Sequence, residues 1–461
     1  MVRVRVARRV RHTPGGRELY PHQCAALDKV KGCKNAPLYM QMRLGKSPTL
    51  ITWIVGELGR PPRALLVTPR STIPGWGEQL DLEKQPWAVA RGDKATREHV
   101  ARVAKGWVLT NYESLRVSPE MLKLPWDLVA LDESTRIRNA KAQVTELLCK
   151  NTRAPYRAVL SGLPNPEGPM DYFCQMYFLR REFMGVGGSF PDAFYRWRHR
   201  FFKSDFMGYD WVPKDGTEER IKDSIHRIAV VQTREQVGLG GSKVYEKRTV
   251  KMNKAQREMN EQLLAEFSCK MRDGTTKETK WATTKLQWMG RVAGGFDPDG
   301  GLVSDNKIKE LLELLQGDLA KEQVLVWFNF NAEMDEASKA IFQAGIPCAV
   351  VEGSTKDEDR KVYIDLFQKG TIRVLCLQVR CGQYGLTLPQ ADTAVYYSNA
   401  YDGELRSQSE DRVVHMAKDT PSLFIDLVSE GSIDEHVLTL LNKKRVGAKY
   451  FMSELTKEVL R

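Results

Sequence analysis

Short apolar runs, each closed by glycine, proline or polar residues and separated by stretches able to form helices, recur along this 461-residue chain. In the first half they span residues 63–69, 107–113, 128–133 and 158–162, with a short buried strand also expected at 36–39. In the second half they span 323–329, 348–353, 373–379 and 392–398. Strands alternating with helices mark a parallel α/β architecture, and this length is too great for one ordinary core. In such sheets the functional loops gather at the carboxyl ends of the strands.

The organisation that follows is four segments. Residues 1–166 form a first α/β domain, 306–432 a second, and 433–461 one or two helices that brace them. Between the domains, 167–305 reads as helical insertions and a connection, with the loop Gly238-Leu239-Gly240-Gly241 inside it. An amphipathic helix is expected over 254–271, and Ile308, Leu311, Leu312 and Leu315 have the helical spacing that opens the second core.

Just after the first expected strand comes Met40-Gln41-Met42-Arg43-Leu44-Gly45-Lys46-Ser47. Gly45-Lys46-Ser47 is the second half of a phosphate-binding loop, and residues 49–57 can continue as a helix. In that setting backbone N–H groups and a helix N-terminus face an anion. Lys46 then reaches the β- and γ-phosphates of a nucleotide such as ATP, and the Ser47 hydroxyl binds Mg²⁺. The full pattern also asks for a glycine at position 40, where this chain has Met40.

Residues 128–133 are an apolar strand ending in Asp132-Glu133. Nucleotide hydrolysis needs one acid there to hold Mg²⁺ and a second to orient or activate water. Asp132 takes the first role and Glu133 the second; the competing reading is a strand end with ordinary surface acids.

Composition limits the partners. The formal net charge of +12 favours contact with a polyanion, and nucleic acid is the commonest. The eight cysteines are scattered with no Cys-x-x-Cys pair, which supports neither a zinc site nor a disulfide framework and fits a reducing, cytoplasmic setting. No run of eighteen apolar residues is present, so no membrane span and no membrane partner is expected.

Asp132-Glu133-Ser134-Thr135-Arg136-Ile137-Arg138-Asn139 resembles the Asp-Glu-Ala-His run of Swi/Snf-like ATPases in helicase superfamily two. The likeness continues in order along nearly the whole chain. Leu19-Tyr20-Pro21-His22-Gln23 is similar to that family's adenine-recognising motif. Val67-Thr68-Pro69 with Trp76 and Glu78, and Thr110-Asn111-Tyr112-Glu113, resemble its motifs Ia and Ib. Leu160-Ser161-Gly162-Leu163-Pro164 is similar to its coupling motif. In the second half Gly353-Ser354-Thr355, then Gly382-Gln383-Tyr384-Gly385-Leu386, then Gln408-Ser409-Glu410-Asp411-Arg412 match the remaining motifs.

The resemblance implies two RecA-like parallel-sheet lobes with helical insertions and C-terminal helices, ATP and Mg²⁺ as cofactors, and DNA as partner. It implies that Tyr20, Gln23, Met42, Arg43, Leu44, Gly45, Lys46, Ser47, Gly385, Arg412 and His415 contact nucleotide, and that Gln408 and Arg412 serve hydrolysis beside Lys46, Asp132 and Glu133. Ser161 and Gly162 couple the two activities. Thr68, Pro69, Arg70, Thr110, Asn111, Gly353, Ser354, Gln378 and Arg380 lie on the nucleic-acid backbone. Contacts of that kind hold register without reading sequence.

Four positions depart from the pattern. Arg43 stands where a glycine is usual, Met40 where an aspartate is usual, and Thr135 where a histidine is usual. His415 stands where the family has a second arginine, so either Arg412 suffices, or Arg380 or Arg406 substitutes, or hydrolysis is slow. The aromatic-basic run over 194–203 either stacks on DNA or turns its aromatics inward and leaves its arginines in water.

The expected function is a monomeric ATP-driven motor that translocates on DNA and remodels forks or junctions by branch migration. The lack of any evident chromatin-reading or nuclease appendage directs that reading towards a minimal viral or prokaryotic enzyme. The alternatives are an RNA helicase, or an ATPase-deficient protein that clamps nucleic acid.

Overall fold

The computed structural model describes residues 11–204, 211–238, 243–266, 268–270, 276–278, 282–383, 388, 390–414 and 421–442. The chain divides into two compact units, Met1–Leu239 and Gly240–Arg461. The division falls at the glycine-rich loop. Residues 167–239 therefore cluster with the first unit and 240–305 with the second.

The first unit is built on seven strands: β1 (Asn35–Met40), β2 (Ala64–Val67), β3 (Trp87–Val89), β4 (Trp107–Thr110), β5 (Leu128–Asp132), β6 (Tyr156–Ser161) and β7 (Val230–Gln232). They lie in the order β7-β1-β6-β5-β2-β4-β3, every pair parallel. Strands β2, β4 and β5 are buried along their whole length, as sheets covered on both faces require. The register pairs Tyr39 with Ser161 and Asp132 with Leu160. The ends of β1, β6 and β5 therefore share one edge of the sheet.

The helix Lys46–Leu58 inserts Leu50, Ile51, Trp53 and Ile54 into the core, and the Trp53 indole donates to the Val30 carbonyl at 3.1 Å. The helix Tyr172–Arg180 is buried from Phe173 to Leu179. Against it lies the helix Asp192–Phe201, which carries most of the aromatic-basic run. Phe194, Trp197, Phe201 and Phe202 join the hydrophobic core, while Arg196, His199 and Arg200 are exposed. The inward alternative is the one adopted. Arg198 stacks at 3.9 Å on the ring of Trp211, in a two-stranded antiparallel stem of Phe202–Ser204 with Trp211–Pro213.

The second unit has six parallel strands: β8 (Lys243–Val250), β9 (Val324–Phe328), β10 (Cys348–Val351), β11 (Val374–Gln378), β12 (Thr393–Tyr396) and β13 (Ser422–Ser429), in the order β8-β13-β12-β9-β11-β10. The helix Asn306–Gln316 contributes Ile308, Leu311, Leu314 and Leu315 to its core. The amphipathic helix ends at Glu266, and the terminal helix runs Ile433–Asn442; residues 443–461 lie outside those described.

Two buried ionic clusters hold this unit. Arg406 lies 3.5 Å from the centroid of the Tyr396 ring, donates from both terminal nitrogens to Asp426, and donates to Glu410 at 2.8 Å. Glu410 also accepts from Lys243 at 2.6 Å and from the Tyr245 hydroxyl at 2.9 Å, which ties β8 to the helix Gly403–Glu410.

In the second cluster, Glu333 is fully buried and receives the Ser398 hydroxyl. Burial pushes its carboxyl up to about 8, against the pull of Lys307. The folded state thus keeps a proton that the unfolded chain releases near its ordinary value, so this group's contribution to stability declines as pH rises from about 4.5 to about 8. We expect Glu333→Gln to remove that slope. Urea midpoints between about pH 5 and pH 9 should show the variant gaining on the wild type with rising pH and levelling above about 8. Parallel curves would count against the burial argument.

Candidate functional site

The loop Gln41–Gly45 joins β1 to the helix that begins at Lys46. Met40 is the last paired residue of β1, opposite Gln232, so it belongs to the strand and needs no glycine-like backbone. The left-handed positions are Arg43, at φ 67°, and Gly45, at φ 79°. That explains why a glycine is usual at 43: a residue with a Cβ is strained there by about 1 kcal/mol. Gly45 has a second reason to lack a side chain, because a Cβ would lie 1.9 Å from the Gln23 amide nitrogen.

The loop is held from two sides. Gln23 accepts the Tyr20 backbone N–H at 3.0 Å and donates to the Leu44 carbonyl at 3.4 Å. The His22 imidazole meets the same carbonyl at 2.9 Å, and burial lowers its pKa. Tyr20 is half exposed and its ring stacks on His22 at 5.8 Å. On the other side, Arg234 donates to the Met42 carbonyl at 2.9 and 3.2 Å, and its backbone N–H reaches the Gln41 side chain at 2.9 Å. The Lys46 ammonium folds back onto the Met40 carbonyl at 3.0 Å. Ser47 is the second residue of the helix and is partly buried.

Asp132 ends β5 and is almost fully buried. Its Oδ2 accepts the Thr68 hydroxyl at 2.9 Å and the Trp76 indole N–H at 2.7 Å, while the Tyr112 hydroxyl donates to its backbone carbonyl at 2.7 Å. Glu133 follows at φ 48°, again left-handed, and begins the tight turn Ser134–Ile137 that contains Thr135. Ser161 is buried at the end of β6 and accepts the Leu163 N–H at 3.1 Å. Gly162 lies against the phosphate loop, since a Cβ on it would stand 3.3 Å from the Met42 backbone nitrogen.

The remaining positions of the first unit follow β2 and β4, which are neighbours in the sheet. Thr68 is spent on Asp132, Pro69 is buried and Arg70 is exposed. Thr110 is buried, and Asn111 caps the helix Tyr112–Val117 by accepting the Ser114 N–H at 2.9 Å.

In the second unit Gly353, Ser354, Gln378 and Arg380 follow β10 and β11, also neighbours. The Gln378 side chain lies 3.8 Å from where a Gly353 Cβ would stand and donates to Asn331 at 2.9 Å. Ser354 donates to Glu352, and Arg380 is exposed on a short helical turn. Gln408 donates to Glu404 at 3.2 Å, and Arg412 lies buried just beyond that helix. Gly385 and His415 fall outside the described residues. Arg406, one of the candidates to replace the second arginine, is committed to Asp426 and Glu410 inside the core.

The donor set at the edge of the first sheet suits a nucleotide phosphate with a hard divalent cation. Helix N–H groups and the Lys46 ammonium complement phosphate, and the Ser47 hydroxyl and Asp132 carboxylate are oxygen ligands of the kind Mg²⁺ takes. His22 and Tyr112 stand inside motifs that the sequence offers but receive no role in the site from them, and Arg234 stands in none. Trp76 carried a motif signal, whereas nothing local announces that Arg234 reaches the loop at Met42.

Two family models match this chain. The SNF2-related domain covers residues 23–292, more than half of it, and the helicase conserved C-terminal domain covers 306–417. Among curated relatives, the putative ATP-dependent helicase/translocase YwqA of Bacillus subtilis is 23% identical over 435 residues, which span 88% of this chain and 45% of the relative. The nuclear protein STH1/NPS1 of Saccharomyces cerevisiae is 23% identical over 449 residues, spanning 88% of this chain and 32% of the relative. The chain thus spans less than half the length of these curated relatives. The Sulfolobus solfataricus SWI2/SNF2 ATPase core in complex with dsDNA aligns with a TM-score of 0.42 and 18% identity, covering 95% of this chain and 93% of that one. Among the described residues no helix is long and apolar enough to cross a membrane.

Proposed function

The chain belongs to the SNF2-related family, and from that premise we propose that it is an ATP hydrolase that drives translocation along DNA and remodels forked or branched DNA. The observation that carries this reading is the convergence at one sheet edge. Lys46 and Ser47 follow β1, Ser161 ends β6 with Gly162 after it, and Asp132 ends β5 with Glu133 after it, in adjacent strands. Lys46 and the helix N–H groups bind phosphate, Ser47 and Asp132 would hold Mg²⁺, and Glu133 takes the proton of the attacking water. Mg²⁺ held there would supply charge neutralisation for the phosphates. Arg412 supplies a cation for the transferring phosphoryl group, a role in which a neutral histidine does not serve.

DNA is the proposed track. The backbone contacts are Thr68, Pro69, Arg70, Thr110 and Asn111 in one unit and Gly353, Ser354, Gln378 and Arg380 in the other. Thr68 joins the two functions directly, because its hydroxyl holds Asp132. A branched substrate is favoured by the antiparallel stem around Trp211, buttressed by Arg198 and set beside the exposed Arg196, Arg200 and Lys203. Such an element can guide one arm of a junction by its charge.

The test is ATP turnover with no nucleic acid, linear duplex, fork, four-way junction, single strand or RNA. Duplex-containing DNA should raise turnover at least about ten-fold, with fork or junction DNA giving the largest effect. Stimulation by RNA alone would move the assignment to an RNA helicase, and no stimulation by any of them would defeat the motor.

A further inference from the structure

Gln175 lies on the helix Tyr172–Arg180, outside every motif of the site, and is fully buried. Its side-chain oxygen accepts the Ser134 hydroxyl at 2.7 Å and the Tyr39 hydroxyl at 3.2 Å. Its nitrogen donates to the Pro164 carbonyl at 2.7 Å and to the Asp171 carbonyl at 3.0 Å. Carbonyls only accept, so the orientation of the amide is fixed by its partners, and two donors and two acceptors are all used.

Three of its four partners belong to the three segments that form the site, and Asp171 stands at the N-cap of the helix that carries Gln175. Tyr39 is on β1 and leads into the phosphate loop. Ser134 directly follows Glu133. Pro164 is two residues past Gly162, which itself packs on Met42. One buried amide therefore links the strand below Lys46, the turn that presents Glu133 and the coupling loop.

Glu133 gives this link its consequence. A non-glycine residue at φ 48° is strained, and such a conformation persists only where its surroundings over-determine it. The hydroxyl of the next residue, held by Gln175, is one of those constraints.

We infer that Gln175 is a positioning residue for ATP hydrolysis, bridging the phosphate-loop strand, the Glu133 turn and the coupling loop so that Glu133 keeps its place. The inference rests on the motor reading above. Gln175 touches neither nucleotide nor nucleic acid and acts only through Ser134, Tyr39 and Pro164. Leucine in place of glutamine replaces the amide with methyl groups and removes the bridge while keeping a side chain of similar bulk, whereas any purely packing role would survive it.

The experiment compares Gln175→Leu, Ser134→Ala and the double variant in DNA-stimulated ATP turnover, with thermal unfolding measured alongside. Gln175→Leu should lower kcat at least about ten-fold while KM for ATP stays within about two-fold, because the interaction matters to the reacting geometry and not to phosphate binding. Ser134→Ala should show the same split to a smaller degree, and the double variant should be no worse than Gln175→Leu alone, as expected for residues acting as one unit. A kcat within two-fold of wild type, kcat and KM moving together, or additive losses would overturn the bridge. If Gln175→Leu does not fold, Ser134→Ala removes a single hydrogen bond and decides by the same split. Wild-type turnover is the separate control: its absence counts against the motor, whereas a working wild type matched by its variants counts only against Gln175.

Discussion

Arg412→Ala should reduce ATP turnover by about 10³-fold or more, the range in which an arginine acting on a transferring phosphoryl group operates. Two of the alternative cations near Arg412, at positions 406 and 415, do not suit this role. Arg406, six positions before Arg412, is fixed by Asp426, Glu410 and the face of Tyr396; burial alone would lower its pKa, but Asp426, Tyr396 and Glu410 outweigh that and raise it. Withdrawing it would leave Asp426 uncompensated in the core, at a cost of about 3–5 kcal/mol. An unperturbed histidine is mostly neutral at pH 7. Arg412 remains charged under all conditions of interest. His415→Ala should accordingly be milder than Arg412→Ala in single-turnover hydrolysis, with nucleotide binding by either variant followed separately. The reverse ranking would show that position 415 carries the catalytic cation. Arg406→Ala is distinguishable from both because it should lower the unfolding midpoint before it tells anything about catalysis.

The apolar strands that build both sheets were legible wherever burial on two faces leaves a continuous hydrophobic run, as in Leu128–Asp132 and Val324–Phe328. Two strands of the second unit escaped for opposite reasons. Lys243–Val250 is an edge strand whose residues are mostly exposed or half-buried, so its Lys-Val-Tyr-Glu-Lys-Arg composition shows no buried run. Ser422–Ser429 is buried but carries Asp426, a charge that belongs in a core only because Arg406 neutralises it. In the first unit, Val230–Gln232 is three residues long and takes its place beside β1 only through tertiary pairing.

The chemistry was more legible than its support. Gly45-Lys46-Ser47 and Asp132-Glu133 announce themselves because their spacing to a strand end is set by local geometry. Gln175, Trp76 and Arg234 reach Ser134, Asp132 and Gln41 from 41, 56 and 193 positions away, and of the three Trp76 has a motif to flag it. No periodicity or local spacing encodes a contact of that kind. The departure at Arg43 was visible as a letter, but its meaning, a left-handed backbone, required the loop itself.

Glu133→Gln should lower kcat by about 10²–10⁴-fold, the usual contribution of a positioned general base, while leaving ATP affinity within a few-fold. Glutamine keeps the length and reach of glutamate and removes its charge and with it the ability to take a proton. The neighbouring carboxylate is a different case. Asp132 accepts from both Thr68 and Trp76 on one oxygen, so Asp132→Asn alters the hydrogen bonds that hold β5 to the loop after β2. It should therefore impair Mg²⁺-dependent binding and, through Thr68, the response to DNA together. Glu133→Gln should separate them: the variant binds ATP and DNA, and stalls before hydrolysis. The measurement is rapid-quench turnover beside fluorescent-nucleotide and DNA binding at matched salt, since phosphate contacts depend steeply on ionic strength. Loss of nucleotide affinity parallel to the loss of turnover would place Glu133 among the Mg²⁺ ligands and return the role of base to another group. Retained affinity with a stalled chemical step would leave the left-handed turn at Glu133, and the amide of Gln175 behind it, as the parts of the fold that keep the base in place.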